Sequence, residues 1–357
     1  MKILILKPSS LGDVIHALPV LRLLKLHFRD AEIFWWIDSR FAGLIQGDPD
    51  LAGVVLFERK RWKSPLRWPE MFRSVQWMRA QQFDLVIDLQ GLLRSAVFAW
   101  LARGKFLVGL DNRFEGGREG ANLFYDLAVR TSDHLHAVER CLSVLPALGV
   151  SVDRKFQWMP QRPQVAADVK RKWPAVTDPK LCWIALQPGA RWPTKCWPTQ
   201  NFAALVQLFA QKYPNVRFAV LGSKEDKPRG DIIYRAAPER VLNLCAETSM
   251  PEMIEWLRLC DLMITNDTGP MHVAAALDIP LIALFGPTDP HSTGPYGQIE
   301  NVMRIDLPCS PCFKHHCTWR NPMECLNAMT PEMVFQFAQK KLKDLCQSAA
   351  VSSMSRV

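Results

Sequence analysis

The sequence predicts an α/β protein made of two doubly wound, Rossmann-like halves. Three observations carry this expectation. Short apolar runs alternate with helical patterns over residues 1–150, a polar stretch punctuated by proline follows at 151–179, and the alternation restarts at 180. A length of 357 residues accommodates two domains of ordinary size. A hydrophobic fraction of 48% with 22% charged residues excludes intrinsic disorder and a fibrous repeat.

Taken in order, Lys2–Leu6 reads as a buried strand, Pro8-Ser9-Ser10-Leu11-Gly12 as a turn, and Asp13 opens a helix. Strands are expected at Glu32–Ile37, Val54–Phe57, Asp84–Asp88 and Phe106–Gly109, and helices at Trp68–Gln81, Gly91–Ala102 and Ala137–Leu148. Such alternation argues for a parallel sheet covered on both faces. Pro160, Pro163, Pro174 and Pro179 mark a linker holding one short helix. Strands then recur at Cys182–Leu186, Arg217–Leu221, Leu262–Thr265 and Leu281–Phe285, with helices at Asn201–Lys212, Pro251–Leu259 and Pro270–Leu277. A last helix, Pro331–Cys346, precedes a tail, Ser348–Val357, expected to fray. The expected division is a first domain at 1–150, a linker at 151–179, a second domain at 180–330, and a terminal helix and tail at 331–357. Two such halves place a ligand in the cleft between them, at the carboxyl ends of the strands.

Charge narrows the ligand. Lys and Arg number 44 against 35 Asp and Glu, a formal charge of +9, which favours an anionic partner such as a nucleotide, a phosphate or an acidic membrane surface. Lys7 interrupts the first apolar run too early for a signal peptide, and no stretch reaches the length of a membrane span. A cytoplasmic protein is therefore expected, and its ten Cys are not expected to form structural disulfides. Thirteen Trp is a high count for this length.

Three loops have the chemistry of a site. In Lys7-Pro8-Ser9-Ser10-Leu11-Gly12-Asp13, the carboxylate of Asp13 has two readings: a cap on its own helix, or a base able to take a proton from a hydroxyl nucleophile. No Lys-Ser/Thr follows Gly12, so the loop is not a phosphate-binding Walker motif, and the G-x-G-x-x-G dinucleotide fingerprint is absent. Gln187–Pro198 holds Gly189, Ala190, Arg191 and Lys195 between a strand and a helix, where two cations and backbone amides suit a pyrophosphate. Read blandly, its cations are surface charges. In Asn266-Asp267-Thr268-Gly269-Pro270-Met271-His272, a buried strand delivers a polar turn straight into a helix of small residues. The Thr268 and Gly269 amides would face an anion there. A lone histidine such as His272 is ordinarily structural.

These segments, with Asp88-Leu89-Gln90-Gly91-Leu92-Leu93-Arg94-Ser95-Ala96, His136-Ala137-Val138-Glu139-Arg140 and Phe285-Gly286-Pro287-Thr288-Asp289-Pro290, resemble the ADP-heptose:lipopolysaccharide heptosyltransferases of glycosyltransferase family 9, most closely the heptosyltransferase I type. They occur in the family's order from the first strand to about Tyr296. The resemblance implies a GT-B enzyme that inverts the anomeric centre without a metal, with ADP-heptose as donor and the Kdo-lipid A region of lipopolysaccharide as acceptor. It places the catalytic carboxylate on Asp13 and the donor-phosphate lysine on Lys195. Thr268, Gly269 and His272 become the nucleotide loop, with Asp267 fixing the turn, and the ribose-binding acid falls on Glu225 or Asp226.

The basic segment Arg59–Arg79 carries Arg59, Lys60, Arg61, Lys63, Arg67, Arg73 and Arg79 with Trp62, Trp68 and Trp77, against only Glu58 and Glu70. Its bland reading is a solvated loop and an amphipathic helix. Given the family's anionic glycolipid acceptor, it is expected to meet the acceptor or the inner membrane face. The acceptor-side candidates are Ser10, Arg61, Lys63, Arg94, Arg118 and His136, with Arg113 beside them. A nucleic-acid partner is not expected, because no recognised module accompanies the charge. Cys309, Cys312, Cys317 and Cys325 have spacings that could hold a structural zinc, but they fit no standard finger, and packing or reversible disulfides is the favoured reading. Rival functions are transfer to another acceptor (heptosyltransferases II or III, or a protein heptosyltransferase), a nucleotide-sugar 2-epimerase of related fold, and a non-catalytic glycolipid-binding protein.

Overall fold

The computed structural model describes residues 1–112, 120–132, 134–153 and 156–354, of which 343–354 by backbone alone. The chain divides into two compact units, Met1–Gln161 and Arg162–Val357. The first runs β1 (Lys2–Leu6), α1 (Leu11–His27), β2 (Glu32–Asp38), β3 (Gly53–Phe57), α2 (Trp68–Ala80), β4 (Leu85–Asp88), α3 (Leu93–Leu101), β5 (Phe106–Asp111), β6 (Leu127–Arg130), α4 (Ala137–Leu142) and α5 (Val144–Ala147). The second opens with α6 (Pro163–Lys172), β7 (Cys182–Gln187), α7 (Thr199–Lys212), β8 (Val216–Val220), α8 (Lys227–Ala236), β9 (Val241–Asn243) and α9 (Met250–Arg258). It continues with β10 (Leu262–Asn266), α10 (Gly269–Ala276), β11 (Leu281–Phe285), α11 (Pro290–Thr293), β12 (Val302–Arg304), α12 (Glu324–Asn327) and α13 (Pro331–Met354).

Each unit is organised around a six-stranded sheet, in the order β3-β2-β1-β4-β5-β6 and β12-β11-β10-β7-β8-β9. Numbered within its own unit, each order reads 3-2-1-4-5-6, and every pairing is parallel. The order in which strands are added therefore reverses between β1 and β4, and again between β7 and β10. A doubly wound sheet leaves its ligand crevice at this switch point, beyond the carboxyl ends of the two strands. Ile3–Leu6 and Leu262–Asn266 are buried throughout, as strands covered on both faces must be.

Aromatic side chains fill much of both cores. Trp36 stacks on Phe57 at 4.4 Å, and Trp62 packs against Phe57 and Phe98. In the second unit Trp197 and Trp256 are wholly buried. Several tryptophans are thus core residues, and Trp62 leaves the set expected at a headgroup boundary because α3 offers it an aromatic pocket.

Some boundaries differ from expectation. The helix expected from Gly91 begins at Leu93, because Gly91 adopts φ +66° and a Cβ there would collide with the Asn112 side chain and the Leu110 carbonyl. The helix expected over Ala137–Leu148 is two short pieces, and the terminal helix runs on to Met354, through residues expected to fray. Strands β6, β9 and β12 and helix α8 complete the alternation at places where no element was expected.

Candidate active site

In the first unit the loops after β1 and β4 meet at the switch point. They enclose a cavity of about 270 Å³ lined by Lys7, Asp13, His16, Leu89, Gln90, Asn112 and Arg140, among others. Asp13 sits in the first turn of α1, where its Oδ2 accepts the Ser10 backbone N–H and, at 2.8 Å, the Ser10 hydroxyl. The carboxylate thus caps its helix and also lines the cavity. Ser10 is the partner that orients it. Lys7 is buried and donates to the Leu89 carbonyl at 2.7 Å, joining the two loops.

Asp88, at the end of β4, is wholly buried. Its Oδ1 accepts the Gln90 and Gly91 amides, and its Oδ2 accepts the Tyr125 hydroxyl at 2.8 Å. Burial pushes the Asp88 carboxyl above its ordinary range, against those hydrogen bonds. The group fixes the Gln90 loop from behind.

His136 caps α4, its Nδ1 accepting the Val138 N–H, and its ring meets His16 edge-on at 5.4 Å. It stands beside the cavity without being among its lining residues. Arg94 is exposed on α3, its guanidinium 6.0 Å from the Phe57 ring. Arg61 and Lys63 lie on a short 3-10 turn after β3, and Arg61 pairs with Glu70 at 2.9 Å. Arg113 and Arg118 lie outside the described residues.

In the second unit the loops after β7 and β10 meet in the equivalent place. The buried Asn266 side chain spans them, donating to the Pro188 carbonyl at 2.8 Å and accepting the Trp197 N–H at 3.0 Å. This pins both ends of the loop carrying Gly189, Ala190, Arg191 and Lys195. Lys195 Nζ lies 2.6 Å from Asp267 Oδ2, the same oxygen that accepts the Thr288 hydroxyl at 2.6 Å. Arg191, by contrast, is exposed. Thr268 has extended backbone and caps α10, so that the helix starts at Gly269 with its positive end beside Lys195's partner. His272 is buried on that helix.

Of the two candidate acids, Asp226 is buried against Gly189, where a Cβ would strike its carboxyl. Its Oδ2 accepts the Ser223 N–H and hydroxyl, and its Oδ1 accepts from Arg229. Glu225 is exposed.

The four cysteines of the C-terminal cluster line one cavity of about 310 Å³. Burial, then the neighbouring Cys317, Cys309 and Cys312, push the Cys325 thiol up to about 11. Among the described residues no group of three or more His, Cys, Asp and Glu side chains is placed to hold a metal ion, and all four thiols are free. The same segment braces the Lys195 loop: Thr194 donates to the Lys314 carbonyl at 2.9 Å, and Trp192 packs on His315 at 3.8 Å.

Sequence reasoning missed Lys7, His16, Arg140, Asn266 and Thr288 as site residues. All but His16 lie within the segments quoted above, and Lys7 left a further signal, a cation directly after an apolar strand.

Two 3-2-1-4-5-6 sheets in one chain, each with polar loops converging at its switch point, are the architecture of the GT-B fold class. The family model of Glycosyltransferase family 9 (heptosyltransferase) matches residues 71–322, and the chain belongs to this family. It is a glycosyltransferase. The chain is 33% identical over 332 residues to lipopolysaccharide heptosyltransferase 1 of Pseudomonas aeruginosa, covering 90% of this chain and 88% of that protein. It is 28% identical to lipopolysaccharide heptosyltransferase 1 of Escherichia coli K12, over 85% of this chain and 93% of that one. Among solved structures, Escherichia coli heptosyltransferase WaaC with ADP superposes with a TM-score of 0.73 at 27% identity, over 96% of this chain and all of that one.

Proposed function

We propose that the protein transfers heptose from ADP-heptose to the Kdo-lipid A region of lipopolysaccharide, inverting the anomeric centre without a metal. The observation that carries the reading is the division of chemistry between two equivalent switch points. The first presents a carboxylate, Asp13, in a cavity, and the second presents a cation, Lys195, beside a helix N-terminus.

In this reading Asp13 takes the proton of the acceptor hydroxyl through Oδ1, while Oδ2 stays bonded to Ser10. The hydroxyl oxygen attacks the anomeric carbon from the face opposite ADP, and negative charge grows on the departing diphosphate. Lys195, aimed by Asp267, and the Thr268 and Gly269 amides stabilise that charge as it forms. Gly189, Ala190 and Arg191 line the donor side, and His272 supports the loop from within α10. Glu225 is assigned the ribose as the exposed acid of the two, Asp226 being buried against Gly189. Ser10, Arg61, Lys63, Arg94, Arg118 and His136 are assigned to the acceptor, with the enzyme peripheral to the cytoplasmic membrane's inner face.

The test supplies ADP-heptose with and without a Kdo-lipid acceptor, in the presence of EDTA. Glycosylated acceptor of inverted configuration is expected, and only when acceptor is present. Consumption of the donor without acceptor would favour the epimerase alternative, and transfer only to an already heptosylated acceptor would favour heptosyltransferase II.

A further inference from the structure

The stretch 305–323, between β12 and α12, contains no helix or strand. A connection that long inside a compact unit is usually functional. This one carries Cys309, Cys312 and Cys317, with Cys325 just beyond on α12. The four thiols line one cavity without converging as the ligands of a metal must, whereas a disulfide needs only two of them. Burial and the three other cysteines push the Cys325 thiol up to about 11, so it stays protonated at neutral pH, and Cys317 Sγ accepts the Met323 N–H at 3.3 Å. Cys309 and Cys312 are partly exposed, and their C-x-x-C spacing in an α/β unit is that of a dithiol that exchanges.

This pair sits on the backbone that builds the Lys195 site. Ser310, between the two cysteines, donates its hydroxyl to the Gly286 carbonyl at 2.6 Å. The Cys312 and Phe313 amides both donate to the Pro287 carbonyl, at 2.9 and 2.8 Å. The next residue, Thr288, bonds the same Asp267 oxygen that holds Lys195. From the other side, the Lys314 carbonyl accepts the Thr194 hydroxyl and His315 packs on Trp192, bracing the turn that ends in Lys195. Both thiols are free, so closing a bond between them draws the sulfurs together and disturbs these contacts.

We propose that Cys309 and Cys312 form a reversible disulfide that loosens the Lys195 loop and lowers donor affinity. The oxidant is a low-molecular-weight disulfide. The thiolate of one cysteine attacks it, forming a mixed disulfide and releasing one small thiol. The second cysteine's thiolate attacks the protein sulfur of that bond and expels the other small thiol. Two electrons and two protons leave the protein, and two small thiols form. The inference rests on the reading above in taking the Lys195 loop for the donor site. The disulfide and the loosening of the loop are read without donor, so the two can fail separately.

The full-length protein is equilibrated with oxidised or reduced glutathione and its disulfides are mapped by mass spectrometry. Amide hydrogen exchange over residues 192–196 and ADP affinity are measured in each state. Oxidation is expected to link Cys309 to Cys312, speed exchange over 192–196 and weaken ADP binding by about fivefold or more, all reversed by dithiothreitol. Cys312→Ser should bind ADP as the reduced wild type does and ignore glutathione disulfide. Should it fail to fold, judged by its melting curve, Cys309→Ser gives the same readout. Thiols that stay reduced, a link to Cys317 or Cys325 instead, or a Cys309–Cys312 disulfide that leaves exchange and ADP affinity unchanged would overturn the proposal. So would a response that persists in the serine variant, since the partly exposed Cys196 of the loop itself would then be the group modified. Faster exchange in a protein whose reduced form does not bind ADP would reject the donor reading and keep the switch.

Discussion

Lys195 Nζ sits 2.6 Å from Asp267 Oδ2, linking the loop after β7 to the loop after β10. The lysine thus has its direction set before any donor arrives, and an ammonium has two further N–H groups to give to phosphate oxygens. Replacing Lys195 with Ala should weaken ADP binding by about 1.5–3 kcal/mol, the range for a charge-assisted hydrogen bond. Calorimetric titration with ADP measures this directly, and unchanged affinity would reject the assignment. Asp267→Asn keeps an acceptor for Thr288 but removes the ion pair, so a smaller loss is expected.

Asp13→Asn separates capping from catalysis, because an amide oxygen can still accept from Ser10 while the group can no longer take a proton. Turnover should fall by about 10²–10⁴, with ADP affinity and melting temperature close to wild type. Activity within a few-fold of wild type would assign the base elsewhere.

Trp62 and Trp68 are only six positions apart in the basic segment but differ in burial. Trp62→Ala should destabilise the protein by about 3–5 kcal/mol, because its contacts with Phe57 and Phe98 would be lost to a cavity. Trp68→Ala should leave stability within about 0.5 kcal/mol of wild type, as for other surface substitutions. Urea melts of the two variants check the contrast, and equal destabilisation would contradict it.

Asp38 gives a pH dependence with a definite sign. Burial alone would raise its carboxyl, but hydrogen bonds from the Arg40 guanidinium and backbone hold it below the ordinary 3.8. A depressed folded pKa contributes stability that is present above the unfolded value and is lost as pH falls through the folded one. Arg40→Met should therefore lower the melting temperature at neutral pH and flatten its decline below about pH 4. Parallel acid limbs in wild type and variant would show that the pair contributes nothing to acid unfolding.

How much of this was readable in advance follows from the range of each interaction. Ile3-Leu4-Ile5-Leu6 announces a strand covered on both faces from local composition alone, and so do Leu281–Phe285 and most of the central strands. The edge strands β6, β9 and β12 are three or four residues long and only partly buried, so their apolar pattern is faint. Hydrogen bonding to a neighbour that is already formed defines them, which a local pattern cannot register. Gly91 was legible as a glycine, but the steric demand that ends the turn there comes from Leu110 in β5 and Asn112 just beyond it.

The site divides the same way. Local order placed Asp13 beside Ser10, and put the cations of the 187–198 loop and the Asp267-Thr268-Gly269 turn each between a strand and a helix, because a capping box or a helix start needs only adjacent residues. Nothing local could join Lys195 to Asp267 across 72 positions, bury Asp226 against Gly189 while leaving Glu225 exposed, or send Trp62 inward and Trp68 outward. Those outcomes depend on strand order. The 3-2-1-4-5-6 arrangement sets the first and fourth strands of each sheet side by side, and so brings together loops that are distant in the chain. The chemical groups and the alternation that folds them are set along the chain, whereas which groups meet is set by pairing between distant strands, which fixes the neighbours of every loop.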